Sequence, residues 1–127
     1  MATIEHVALF AADPASLKDF YIREFGLRVV LDNGQGNPPG YFLADEADMA
    51  LEIIGRPAET SPVNPRYVCH VCFVVEDVDQ RRAELEAVGM VFEEDTVVAN
   101  GSMTTAFFRD PEGNRIQIVK RWKPLIS

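Results

Sequence analysis

Four polar residues stand inside strongly apolar runs, and their types and spacing suit a metal site. His6 lies in Glu5-His6-Val7-Ala8-Leu9, His70 in Cys69-His70-Val71-Cys72-Phe73, Glu52 in Leu51-Glu52-Ile53-Ile54, and Gln117 in Ile116-Gln117-Ile118-Val119. An unpaired polar group in the middle of an apolar strand is costly, so the four ask for a common explanation. Taken singly, each has an ordinary one: a buried histidine is usually a hydrogen-bonded core residue, and a strand glutamine usually points to solvent. Their placement argues otherwise. The chain has only 2 histidines, 64 residues apart; His6 precedes Glu52 by 46 residues and His70 precedes Gln117 by 47. Two imidazoles, a carboxylate and an amide oxygen would suit one divalent ion (Zn, Ni, Co, Mn or Fe) with positions left open for water or substrate. Glu52 is the only carboxylate of the set, so in a proton-transfer enzyme it is the expected catalytic base.

That spacing is part of a longer internal repeat. Asp13 and Asp77 are also 64 apart, and each stands where a helix N-cap belongs, Asp13 before Pro14 and Asp77 three residues before Gln80. The string Tyr41-Phe42-Leu43-Ala44-Asp45 matches Ala106-Phe107-Phe108-Arg109-Asp110 at an offset of 65, as the Glu52 and Gln117 strands do. One inserted residue reconciles the two offsets.

The elements that must position the four residues follow from periodicity and punctuation. A first helix is predicted from Pro14 to Phe25, with Leu17, Phe20, Tyr21 and Phe25 on one face and Gly26 as its stop. A second is predicted from Val78 to Val88, with Val78, Leu85 and Val88 inward, Arg81, Glu84 and Glu86 largely outward, and Gly89 as its stop. Strand alternation sets Ile4, His6, Ala8 and Phe10 on one face, and Val68, His70, Cys72 and Val74 on another. Asn100-Gly101 predicts a two-residue hairpin, and Asp110-Pro111-Glu112-Gly113-Asn114 a longer turn. Each half therefore reads βαβββ, an α+β architecture: one domain over 1–127, with units at 1–55 and 67–122 and a proline-interrupted linker at 56–66.

Two other motifs invite chemistry and are read more plainly. In Cys69-His70-Val71-Cys72 the alternation of a strand from Tyr67 to Val75 sends the two thiols to opposite faces, so they are expected to be small buried hydrophobes and not a shared zinc or redox pair. The stretch Asn33-Gly34-Gln35-Gly36-Asn37-Pro38-Pro39-Gly40 lacks phosphate-loop spacing and has no helix after it, which leaves a hairpin tip.

Composition bounds the function further. With 47% hydrophobic and 25% charged residues the chain reads as an ordinary globular protein. A net charge of -8 leaves no basic stripe for phosphates and argues against a nucleic-acid partner. No apolar run reaches the length of a membrane span, and Met1-Ala2-Thr3-Ile4-Glu5-His6 has no export signal, so a cytoplasmic protein with no membrane partner is expected.

Across nearly its whole length the sequence resembles the glyoxalase, bleomycin-resistance and extradiol-dioxygenase superfamily, the vicinal oxygen chelate proteins. The resemblance rests on Glu5-His6-Val7-Ala8-Leu9, the helix end from Phe20-Tyr21 to Phe25-Gly26-Leu27, the segment from His70 to Asp77, and Phe107-Phe108-Arg109-Asp110-Pro111-Glu112-Gly113-Asn114. It implies curved mixed sheets around a cleft, and metal ligands on the first and last strands of each unit, which carries over to His6, Glu52, His70 and Gln117. Glutamate is more usual at the last of these. Glyoxalase I holds glutathione with an arginine on the first strand and an asparagine after the glutamate strand; the corresponding places here are Phe10 and Arg56, expected to contact a different small-molecule substrate. The resemblance implies a metal-dependent lyase, isomerase or epimerase that moves a proton at carbon. Its alternatives are an Fe(II) dioxygenase of the extradiol type and a metal-free protein that sequesters a small molecule such as an antibiotic. A homodimer is also expected, since open sheet edges in this superfamily are usually closed by pairing subunits.

Overall fold

Buried and open positions alternate through Ala8–Ala11, Ala50–Ile53 and Arg115–Ile118, and the structure, a computed structural model, sets these runs in two sheets, each covered on one face by a helix. It describes residues 4–58 and 68–125. The chain divides into two compact units, Met1–Pro62 and Val63–Ser127. The expected linker at 56–66 lies mostly outside the described residues, as does Tyr67.

The first unit comprises β1 (His6–Ala11), α1 (Pro14–Phe25), β2 (Arg28–Asn33), β3 (Gly40–Ala44) and β4 (Ala50–Gly55). Its sheet has the order β1-β4-β3-β2, with β1 parallel to β4 and the remaining pairs antiparallel. The second comprises β5 (His70–Val74), α2 (Val78–Ala87), a short 3-10 turn, β6 (Val98–Ala99), β7 (Met103–Arg109) and β8 (Arg115–Arg121), in the matching order β5-β8-β7-β6. Both sheets are open, mixed and four-stranded, and each unit is the predicted βαβββ.

The helices begin and end for the expected reasons. The Asp13 side chain accepts from the Ser16 amide and that of Asp77 from the Gln80 amide, satisfying donors that a helix start leaves open. Gly26 caps α1 at φ 66°, a left-handed conformation that a side chain would strain. Pro14, Leu17, Phe20 and Tyr21 of α1 are buried against β1, β3 and β4, while Phe25 is only partly so. In α2, Val78 and Leu85 are buried, but Val88 is not the inward residue the periodicity suggested. It is the cap, 48% exposed, because the helix stops one residue earlier than predicted.

The turns repeat as well. Asp45 Oδ1 accepts from the amides of Ala47 and Met49, and Asp110 Oδ1 from those of Glu112 and Asn114. The third residue after each aspartate is left-handed: Asp48 at φ 62° and Gly113 at φ 87°. The Asn100-Gly101 hairpin joins β6 to β7, but Ser102 also belongs to its loop. The Asn100 side chain accepts from Ser102 and Met103, so a side-chain turn replaces the two-residue one. The glycine-rich stretch forms the β2–β3 connection, as expected. Among the described residues no helix is long and apolar enough to cross a membrane.

Candidate functional site

In the first unit the parallel β1–β4 pairing sets Ala8 beside Glu52, and the antiparallel β3–β4 pairing sets Phe42 on its other side. Leu9, Ala11, Leu51 and Ile53 form the buried face. By alternation His6, Ala8, Phe10, Glu52 and Ile54 occupy the face turned away from α1. His6 and Glu52 are thus diagonal neighbours, and His6 Nε2 lies 3.4 Å from Glu52 Oε1. The imidazole packs edge-on against Phe42, ring centres 5.2 Å apart. Its other nitrogen, Nδ1, is 2.9 Å from Glu5 Oε1. With the proton on Nδ1 and held by Glu5, Nε2 presents its lone pair on the Glu52 side.

The second unit reproduces the placement. Cys72 pairs with Gln117 across β5–β8, and Phe107 pairs with Gln117 across β7–β8. The His70 ring meets Phe107 edge-on at 5.0 Å. The surroundings then diverge. Arg115, paired with His70, lies over the other ring of this stack, 4.2 Å from the Phe107 centre, and both ends of its guanidinium meet the Glu93 carboxylate at 3.1 Å. The Gln117 amide nitrogen is 2.6 Å from Thr105 Oγ1.

The histidines are exposed and not core residues, which removes the ordinary reading of each as a buried, structurally satisfied imidazole. Each unit joins one histidine and one oxygen-bearing side chain on one sheet face. Among the described residues no group of three or more histidine, cysteine, aspartate or glutamate side chains gathers at metal-binding range. The His6–Glu52 pair nonetheless fits a divalent ion on its own geometry. Ligand bonds of about 2.0–2.1 Å at a tetrahedral angle place neighbouring donor atoms about 3.4 Å apart. That is the separation observed between Nε2 and Oε1.

Phe10, 49% exposed, pairs with Ile54 on the His6 face. Arg56 follows β4; its amide donates to Ala11, and its guanidinium donates to the carbonyls of Pro57 and Ala58. It lines a recess of about 300 Å³ with Ala12, Asn37, Pro38, Pro39 and Pro57. Cys69 and Cys72 are both free thiols, as expected, but the expected burial does not hold: both are exposed, and Cys69 lies outside β5. The reason is that the β5 face bearing Cys72 is the one without the helix, where small apolar side chains stay open.

Several residues beside the four donors were not singled out from sequence. Phe42 and Phe107 were visible as equivalent members of the repeat, and register makes them neighbours of Glu52 and Gln117. Glu5 and Thr105 carried no signal beyond their proximity to a motif. Glu93 lies 22 residues from Arg115, and no spacing rule couples the two.

The family model described as Glyoxalase/Bleomycin resistance protein/Dioxygenase superfamily matches residues 3–118. No curated protein matches the chain. Among solved structures, SMU.1112c is 29% identical with a TM-score of 0.73, the alignment covering 94% of this chain and 98% of that one. Lactoylglutathione lyase from Agrobacterium tumefaciens is 22% identical, TM-score 0.69, covering 94% of each chain. The fosfomycin resistance protein FosX from Listeria monocytogenes is 14% identical, TM-score 0.71, covering 94% and 93%. At such identities the last two attest to the fold alone.

Proposed function

The chain belongs to the Glyoxalase/Bleomycin resistance protein/Dioxygenase superfamily, and on that footing we propose that it is a metal-dependent lyase, isomerase or epimerase acting on a small oxygenated substrate. Its ligands are His6, Glu52, His70 and Gln117. The observation that carries this reading is the shared register: in both sheets a histidine sits two residues before the strand position that pairs with the oxygen-bearing side chain.

A divalent ion held by these residues would supply Lewis acidity to neighbouring substrate oxygens. The chain's own residues divide the remaining work. Glu52 is the one member of the set that takes up and releases a proton through a carboxylate oxygen, so it is the base that moves the substrate's carbon-bound proton. Gln117 binds through oxygen but exchanges no proton. Glu5 holds His6 in the tautomer that leaves Nε2 for binding. Phe42 pairs directly with Glu52, while Leu31 beyond Phe42 and Phe10 beside Ile54 extend the apolar surface of that face and limit water around the proton in transit. Arg56 is proposed to meet the substrate from the recess beside β4.

The same apolar border favours a second reading, a metal-free protein that sequesters a small molecule. Metal analysis of protein purified without added metal, then supplemented with Zn, Ni, Co, Mn or Fe(II) and dialysed, separates the two. Retention of about one ion per ligand set supports the enzyme, and protein that stays empty under all five hands the assignment to sequestration. The proposal includes a homodimer, since β1 and β5 are the end strands of their sheets; light scattering reads the mass directly.

A further inference from the structure

Thr105 is 2% exposed, and its hydroxyl has two neighbours. Oγ1 donates to the Ile118 carbonyl at 2.8 Å and sits 2.6 Å from Gln117 Nε2. A threonine hydroxyl carries one hydrogen and two lone pairs. With that hydrogen spent on Ile118, the side of Oγ1 facing Gln117 is an acceptor, so the amide must turn its N–H toward Thr105. The Gln117 carbonyl oxygen is thereby sent to the opposite end of the amide.

We propose that Thr105 is a positioning residue that presents Gln117 as a neutral oxygen ligand for a divalent ion, an inference that rests on the metal-dependent reading above. The two units differ at this point. The residue equivalent to Thr105 in the first sheet is Gly40, which pairs with Ile54 as Thr105 pairs with Val119. Glycine offers no hydroxyl, so nothing there fixes Glu52 as Thr105 fixes Gln117. One unit supplies a carboxylate free to reorient during proton transfer, the other an oxygen locked in place. The same bond accounts for an amide at 117: a carboxylate oxygen would face the Thr105 lone pairs unless the hydroxyl gave up Ile118.

The test is a metal titration of the full chain, stripped with a chelator and titrated with Co(II) or Zn(II) against a chromophoric competitor. Thr105→Val keeps the shape and removes the hydroxyl. Its affinity is expected to fall about 10–100-fold, the usual cost of losing a group that orients a ligand, and the visible spectrum of bound Co(II) should change. Thr105→Ser restores the hydroxyl and should restore both affinity and spectrum. In a Gln117→Ala background, Thr105→Val should cost nothing further. Should Thr105→Val unfold by circular dichroism, Thr105→Ala and Thr105→Ser carry the same comparison. Equal metal affinity in wild type and the hydroxyl-free variant overturns the role of Thr105 alone, as does a loss in Thr105→Ser as large as in Thr105→Val. Wild-type protein that takes up no metal overturns the underlying functional reading as well.

Discussion

Glu52 and Gln117 occupy one position in two copies of the same sheet, each between a phenylalanine on the antiparallel side and, on the parallel side, the residue two after a strand histidine. On the proposed metal-dependent reading, identical placement with different chemistry separates two tasks, binding and proton transfer. Glu52→Gln keeps an oxygen at the site and removes the proton acceptor. Under saturating metal its turnover should fall about 100- to 10,000-fold with metal content near that of wild type. Once a substrate is in hand, steady-state rates and metal content of one preparation decide it; near-normal turnover would pass the base role to another group.

The Glu5 contact on His6 Nδ1 is open to water, with the carboxylate 87% exposed. Such a hydrogen bond orients the ring more weakly than a buried one. Glu5→Gln should therefore lower metal affinity toward the small end of the roughly 10–100-fold range known for groups behind a ligand, while His6→Ala should lower it far more. Affinity in both should drop as acid is added, because metal must displace protons from the imidazoles. Competition titrations at several pH values show the ordering, and a Glu5→Gln loss equal to that of His6→Ala would contradict it.

How much of this could be read from the chain alone depends on whether the signal was local. The α1 bounds follow from Asp13, Pro14 and Gly26, all adjacent to what they terminate, and the structure reproduces them. The βαβββ topology was legible because the repeat prints every strand twice. Val88 and the Asn100 loop were misread at element ends: α2 stops one residue short of Val88, and the Asn100 side chain accepts from Ser102 and lengthens its loop. For the site, the sequence paired His6 with Glu52 by counting, and the structure places their donor atoms 3.4 Å apart. Thr105 and Glu93 stayed hidden because their roles arise from cross-strand register and loop return, which no short-range period encodes.

Asp110 is buried and receives the amides of Glu112 and Asn114 together with the Asn114 side chain. Asp110→Ala leaves those donors without this acceptor in a place where water enters poorly. A loss of about 1–3 kcal/mol is expected for such unmade bonds. The equivalent Asp45 is less buried, and its turn donors can turn to solvent, so Asp45→Ala should cost less. Urea denaturation of the two variants gives the ranking, and a larger loss for Asp45→Ala would show that the two turns are not equivalent in energy.

Cys72 offers a chemical view of the second half-site. It pairs with Gln117 and, two residues from His70 on a strand, shares its face. Although the residue is exposed, the side chains packed around its sulfur partly desolvate it and push the thiol above the usual range, and the positive charge of Arg121 only partly opposes this. Thiolate is the reacting form, so at neutral pH iodoacetamide should modify Cys72 more slowly than a free cysteine, with the rate climbing as pH rises. A metal or substrate bound at His70 and Gln117 should slow it further by covering that face. Cys69 lies outside β5 and serves as the internal control. Mass spectrometry of the two peptides over time, with and without Zn(II), reads both effects. The expected pattern is protection of Cys72 with Cys69 unchanged; equal labelling of Cys72 in both conditions, in protein shown to have bound the ion, would remove His70 and Gln117 from the ligand set.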